Sequence, residues 1–212
     1  MRDGTFTCAS RGLRVELTGR SAHAAQPETG NNPAAAMARL VLLFGDLPAA
    51  LATDGELMFA TVVGANVGGR NFGVVPDRAE LCVTLRSETD VTMARLVEWC
   101  EARARKVASE HGLELSLAYQ DVFDATVNAP GAVETVRRAS DGMPLAEAEV
   151  PFRWSEDFGR FTRVADGAFF GLGAGEGMPA LHNDNYDFPD ELVGAGSRVF
   201  LRIVDACLAR PG

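Results

Sequence analysis

The sequence predicts an α+β domain followed by part of an α/β domain, on three observations. In the first 122 of the 212 residues, three segments alternate apolar with polar residues, as half-buried strands do, and a fourth, residues 57–63, is rich in strand-forming residues. Two segments between them carry apolar residues at helical spacing, so that the order is β-α-β-β-α-β. From residue 123 onward this pattern ends, and roughly three helices share at most two strands. We therefore predict two domains, residues 1–122 and residues 123–212.

The first strand and the first helix are the clearest elements. Apolar and polar residues alternate over residues 13–17, and residues 19–30 follow as a loop. The sequence Asn-Asn-Pro at 31–33 predicts a helix start, because asparagine caps free amide groups and proline favours the first turn. The helix then carries apolar residues at helical spacing: Met37, Leu40, Val41, Phe44 and Leu47.

Three more strands and a long helix complete the first domain. Residues 57–63 and 81–86 are strand-like, Asp90 is predicted to cap the helix, Gly112 to end it, and residues 113–119 alternate as the last strand. This order is the ferredoxin-like βαββαβ arrangement, with two helices on one face of the sheet. The other face and the edges remain available for a partner.

The second domain is predicted from weaker patterns. We expect a helix over residues 128–139, strands at 143–150 and 167–172, a helix capped by Ser155, and a last helix capped by Asp190. A sheet usually has five or six strands, so the at most two strands predicted here are too few for these helices to pack against. We expect the missing strands to come from another segment or another chain.

Composition excludes several classes of protein. The net charge of −9 and the absence of Lys/Arg clusters argue against nucleic-acid binding, which depends on basic groups. No apolar run reaches the length of a membrane span, and the N-terminus lacks the apolar core of a signal peptide. The cysteines are too far apart for a zinc knuckle, and we expect a cytoplasmic protein. They are Cys8, Cys82, Cys100 and Cys207.

Three histidines are candidates for chemistry. His23 follows the first strand in a loop of small residues, where binding residues concentrate, although an imidazole there can equally bond a backbone carbonyl. His182 precedes three aspartates within eight residues, a mixture that suits zinc or manganese, although those acids can also be turn formers and a helix cap. His111 lies at a helix end, and we expect it to be structural.

Ser155, with Glu156 and Asp157, allows two further interpretations. The three residues suit a helix start, where acids are favoured, but they could also supply a catalytic carboxylate. A serine-hydrolase triad of Ser155, His182 and Asp187 lacks a nucleophile-elbow motif. The glycine-rich stretch at 171–177 does not match the spacing of a dinucleotide-binding loop.

Taken together, these motifs resemble the metal-dependent aminoacylases and carboxypeptidases of peptidase family M20, which include hippurate hydrolase. Two segments resemble the lid, or dimerisation, domain of that family: GLRVELTGRSAHAAQPETGNNPAAAMARLV and FGVVPDRAELCVTLRS. Two others resemble the C-terminal catalytic segment: WSEDFGRF and ALHNDNYDFPDELVGAG. The family's lid is ferredoxin-like, so the resemblance implies a lid domain followed by an incomplete α/β metallopeptidase catalytic domain.

The resemblance implies a role for each matching residue. His23 is the catalytic lid histidine, which polarises the scissile carbonyl in the partner subunit's site, and His182 is a metal ligand. Arg86 binds the substrate carboxylate, and Ser155 lines the substrate pocket. Gly73 stands where the family usually has a substrate-binding asparagine, for which Asn71 is the nearest substitute. Trp154 stands in the place of a glycine, which implies a narrower or more apolar pocket.

The resemblance also implies a function. The expected reaction is hydrolysis of an N-acyl amino acid or small peptide by metal-activated water, with two zinc or manganese ions in the complete enzyme and a homodimer formed through the lid. The family's N-terminal metal ligands and general base have no match in this sequence. We therefore expect the C-terminal part of an enzyme, inactive as an isolated chain. The alternatives are a non-catalytic dimerisation or binding module and, more remotely, a serine hydrolase.

Overall fold

A computed structural model describes residues 1–52 and 55–209. The described strands are β1 (Gly4–Thr7), β2 (Ala9–Thr18), β3 (Ala22–His23), β4 (Met58–Val67), β5 (Val74–Val75), β6 (Arg78–Ser87), β7 (Glu114–Phe123) and β8 (Thr126–Asn128). The described α-helices are α1 (Ala34–Gly45), α2 (Asp90–Glu110), α3 (Pro130–Ala139), α4 (Gly159–Thr162) and α5 (Glu191–Leu208).

The chain divides into two compact units. The sheet unit consists of residues Thr7–Ala125 and Phe152–Asp157. The helical unit consists of Met1–Phe6, Thr126–Pro151 and the described residues from 158 to 209. Each unit is thus assembled from segments that are distant in the sequence, and residues 152–157 return to the sheet unit.

The sheet unit is built on a four-stranded antiparallel sheet in the order β4-β6-β2-β7. On the central pair, Leu13 lies opposite Val83 and Val15 opposite Leu81, and all four side chains are fully buried. They pack with α1 and α2 in one core, which the period-two alternation of the sequence directs to a single face. The predicted ferredoxin-like fold is confirmed.

The two helices of the sheet unit differ in how they begin. The N-cap residue of α1 is Pro33, one position after the predicted asparagine cap, and it makes no side-chain cap bond; the Asn32 side-chain oxygen accepts a hydrogen bond from the Ala34 amide at 2.9 Å. At α2 the predicted cap was wrong. Thr89 accepts from the Thr92 amide at 3.2 Å, whereas Asp90, the first helical residue, accepts from the Ala125 amide at 3.0 Å. Thr89 has the extended backbone that a cap requires.

The helical unit contains the packed pair α3 and α5, which were predicted, and the two-stranded sheet of β1 and β8. The strands predicted at 143–150 and 167–172 are wrong, because neither segment contains a described strand. In the second segment, the Phe169 amide donates to the Asn128 side chain at 2.7 Å, and the Phe169 carbonyl accepts from it at 2.8 Å. A side chain therefore takes the place of a neighbouring strand.

The helix predicted after Ser155 is reduced to the four residues of α4, and its N-cap residue is Phe158 rather than Ser155. None of the described helices is long and apolar enough to cross a membrane.

Candidate functional site

His23 lies on a short two-stranded ribbon of the sheet unit. Strands β3 and β5 pair antiparallel, with His23 opposite Val74, and the Ala24 amide donates to the Gly73 carbonyl at 3.0 Å. The imidazole is exposed, and its Nδ1 accepts a hydrogen bond from the Ala25 amide at 3.1 Å. Since Nδ1 acts as acceptor, the neutral ring carries its proton on Nε2. His23 therefore presents an N–H donor at the surface.

Asn71 belongs to the same ribbon. Its side-chain oxygen accepts from the Gly73 amide at 3.1 Å, and its carbonyl accepts from the Val74 amide at 3.4 Å. The Asn71 residue is exposed, and among the described residues its side-chain nitrogen has no hydrogen-bond partner. The ribbon therefore brings His23 and Asn71 together through the Gly73 backbone, each with a free donor.

Arg86 and Ser155 contact each other directly, also within the sheet unit. Arg86 Nη1 donates to the Ser155 hydroxyl oxygen at 2.8 Å and to the Arg153 carbonyl at 2.8 Å. The Ser155 hydroxyl in turn donates to the Cys8 carbonyl at 2.6 Å. Neither partner of the Ser155 hydroxyl is a histidine, so the structure gives no support to the serine-hydrolase alternative.

The surroundings of Arg86 combine positive charge with aromatic rings. The Arg153 guanidinium lies 5.9 Å from the ring centroid of Phe59, whose Cα is the register partner of Arg86 on β4. Trp154 is exposed, and its ring centroid lies 5.2 Å from that of Phe152. A guanidinium group beside an aromatic ring favours a ligand that combines a carboxylate with an apolar group.

Cys8 contributes no reactive thiolate to this site. Burial raises the pKa of its thiol to about 11, and the Glu88 carboxylate acts in the same direction. Its thiol therefore stays protonated at neutral pH, and its contribution is the backbone carbonyl that accepts from Ser155.

His182 lies in the helical unit, exposed and in a turn with φ +72°. Within the part of the chain that the structure describes, no three His, Cys, Asp or Glu side chains lie close enough together to hold a metal ion. Asp190 occupies the N-cap position of α5 without a side-chain hydrogen bond to it. The described residues do not by themselves fit a zinc or manganese site, which needs about three protein ligands.

The two backbone carbonyls that hold Arg86 and Ser155 were not found from the sequence. The carbonyl groups of Arg153 and Cys8 carry no signal in residue type, since every residue has one. His111 lies at the end of α2, where the sequence predicts it, as the C-cap residue, and its backbone carbonyl accepts from the Asn31 side chain at 3.1 Å.

Comparison with known proteins identifies the kind of molecule that this chain resembles. Residues 8–112 match the model of a peptidase dimerisation domain. The chain is 23% identical over 208 residues to hippurate hydrolase of Campylobacter jejuni, a match that covers 96% of this chain and 54% of the relative. It is 25% identical over 195 residues to N-acetyldiaminopimelate deacetylase of Oenococcus oeni, covering 90% of this chain and 50% of the relative.

Solved structures show the same fold. The Bacillus subtilis YXEP protein, described as a dinuclear metal-binding peptidase of the M20 family, superposes with a TM-score of 0.77 at 16% identity and covers all of this chain and 53% of its own. Aminopeptidase PepT from Bacillus cereus superposes with a TM-score of 0.71 at 19% identity, covering 95% of this chain and 54% of its own. The chain spans about half the length of the curated relatives it matches.

Proposed function

We propose a hydrolytic function for this chain, which belongs to the M20 peptidase family through its dimerisation domain. In this function the chain takes part in cleaving the amide bond of an N-acyl amino acid or small peptide. The observation that carries the proposal is Arg86. Its guanidinium is held at Nη1 by the Arg153 carbonyl and the Ser155 hydroxyl, while its other nitrogens have no partner among the described residues. A fixed guanidinium of this kind suits the free carboxylate of such a substrate.

His23 and Asn71 would serve the reacting end of the substrate. The His23 Nε2–H is free to donate to the scissile carbonyl oxygen, whose negative charge grows as the bond is attacked. The Asn71 amide would add a second donor from the same ribbon. We propose that this ribbon reaches the site of a partner subunit in a homodimer formed through the dimerisation domain.

We propose that the activity requires divalent metal, two zinc or manganese ions, with His182 as one ligand. The support is a solved relative described as a dinuclear metal-binding peptidase. Because the described residues do not assemble a complete metal site, the remaining ligands would have to lie outside them.

The four cysteines are all free thiols, which supports a reducing cytoplasmic location.

A second candidate is a non-catalytic dimerisation or binding module. The observation that favours it is that the family model matched by residues 8–112 describes a dimerisation domain.

Two measurements on the same sample test these candidates: binding of hippurate (N-benzoylglycine), and release of glycine from it. Glycine release is followed with an amine-reactive dye in buffer that contains zinc or manganese ions. For the 212-residue chain alone we expect hippurate to bind without glycine release, since His182 is one ligand where about three are needed. Release that depends on added metal would contradict the view that the described ligands are insufficient. A stable dimer that neither binds hippurate nor releases glycine would contradict the hydrolytic proposal and favour the module.

A further inference from the structure

We infer that Ser155 is a positioning residue, which holds Arg86 so that only one edge of its guanidinium is offered to a carboxylate. The identity of the ligand rests on the proposed function, but the hold on Arg86 does not. The expected role of Ser155 as a pocket-lining residue requires only that its side chain be small. The hydrogen bonds that Ser155 makes to Arg86 and to the Cys8 carbonyl require a hydroxyl group at this position.

The donors of Arg86 can be accounted for one by one. A guanidinium has five N–H donors, and the two on Nη1 are directed at the Arg153 carbonyl and the Ser155 hydroxyl. The Nε–H and the two N–H groups of Nη2 have no partner among the described residues. Nε and Nη2 share one edge of the planar group, and that edge can bind both oxygens of a carboxylate through two parallel hydrogen bonds. Binding across Nη1 and Nη2 is excluded, because the Nη1 hydrogens are taken.

The direction of each bond follows from Ser155. A hydroxyl has one hydrogen to donate, and Ser155 donates it to the Cys8 carbonyl at 2.6 Å. The Ser155 oxygen is therefore left as an acceptor facing Arg86, and a guanidinium can only donate. The polarity of the Arg86–Ser155–Cys8 chain is thereby fixed.

The support for Ser155 is itself rigid. Cys8 is fully buried, and its amide donates to the Phe152 carbonyl at 3.1 Å, next to a bridge between Thr7 and Phe152. The segment that carries Arg153 and Ser155 is thus tied by its backbone to the start of β2. Arg86 is anchored near the end of β6, opposite Ser10 of β2. The clamp therefore connects two regions of the sheet unit that lie far apart in the sequence.

Nitrogen-15 NMR of the arginine side chains tests this clamp in the 212-residue chain without any turnover. A clamped guanidinium rotates slowly, so we expect the Nη1 and Nη2 groups of Arg86 to give separate signals, assigned by their loss in Arg86→Gln. In Ser155→Ala we expect these signals to merge, because the acceptor is gone. Ser155→Thr, which retains a hydroxyl, should restore them. Ser116→Ala, which removes an exposed serine on β7 of the same sheet, is the matched control and should leave them separate.

A second readout is the affinity for hippurate, measured in the same samples. Loss of one hydrogen bond to a charged group should weaken hippurate binding roughly tenfold in Ser155→Ala and leave it near the wild-type value in Ser155→Thr. Merged Arg86 signals in the wild type, or separate ones in Ser155→Ala, would overturn the inference. If Arg86 is clamped as described but hippurate does not bind, the proposed function fails and the positioning role stands.

Discussion

Replacing Asn128 with alanine should loosen the helical unit and leave the sheet unit unaffected. Asn128 is 1% exposed, and its side chain makes three hydrogen bonds to backbone groups. It donates to the carbonyls of Arg2 at 2.9 Å and Phe169 at 2.8 Å, and it accepts from the Phe169 amide at 2.7 Å. One side chain thus joins the N-terminal segment, β8 and the segment around Phe169.

The size of the effect follows from those three bonds. A buried polar group left without a partner costs about 1–3 kcal/mol. The partners Arg2 and Phe169 are half-buried, so water can hydrogen-bond to some of the backbone groups that the substitution leaves without a partner. We therefore expect a total loss near ~3 kcal/mol, the lower end of the sum over three groups. That loss corresponds to a roughly hundredfold increase in the open population of the helical unit.

Native-state amide hydrogen exchange measures this opening unit by unit. In Asn128→Ala, amides in α3 should exchange roughly a hundredfold faster, whereas amides in β2 and β6 should keep their protection. Asn185→Ala, at an exposed position in the same unit, is the control and should change neither. Unchanged protection of α3 in Asn128→Ala would refute the assignment of Asn128 as the residue that joins these segments.

Three further predictions concern thiols, acid stability and turnover. At about pH 8 the exposed Cys207 should react with a thiol reagent in the native protein, whereas Cys8 and Cys100 should not, because burial raises their pKa values to about 11 and about 12; native labelling of Cys100 would contradict this. The hydrogen bond from the Tyr119 hydroxyl, and to a smaller extent the one from Arg105, lowers the pKa of Glu101. Ionised Glu101 therefore stabilises the fold above the ordinary pKa of a glutamate, and this stabilisation is lost as the pH falls through the lowered pKa. Urea unfolding followed by tryptophan fluorescence between about pH 6 and pH 3 should therefore show a shallower loss of stability in Glu101→Gln, and an unchanged slope would contradict the linkage. In an enzyme in which this chain is active, His23→Ala should lower turnover roughly a hundredfold with the fold retained, and an unchanged rate would remove His23 from the mechanism.

The sheet unit could be predicted from the sequence because its signals are local. Alternation at Leu13, Val15 and Leu17 specifies which face of β2 is buried, and Gly112, at φ +61°, ends α2 where a left-handed residue is required. The cap of α2 was misassigned because Thr89 and Asp90 are both good caps, and only the backbone conformation decides between them.

The helical unit was predicted less well because its order depends on distant contacts. The apolar run at 167–172 has the composition of a buried strand, yet the Asn128 side chain, about 40 residues earlier, pairs with its backbone. The strand β1 is only four residues long and pairs with β8, which no local pattern reveals. At the candidate site, residue types pointed to His23 and Ser155, and the family resemblance pointed to Arg86. The carbonyl groups that orient Arg86 and Ser155 could be found only in the structure.

The most direct test of the account is an NMR titration of the 212-residue chain with hippurate and with its neutral amide, hippuramide. The account predicts that hippurate shifts the Arg86 side-chain signals with millimolar or tighter affinity, that hippuramide does not, and that Arg86→Gln abolishes the hippurate response. Equal responses to the acid and the amide, or a hippurate response that survives in Arg86→Gln, would contradict the claim that Arg86 recognises the substrate carboxylate.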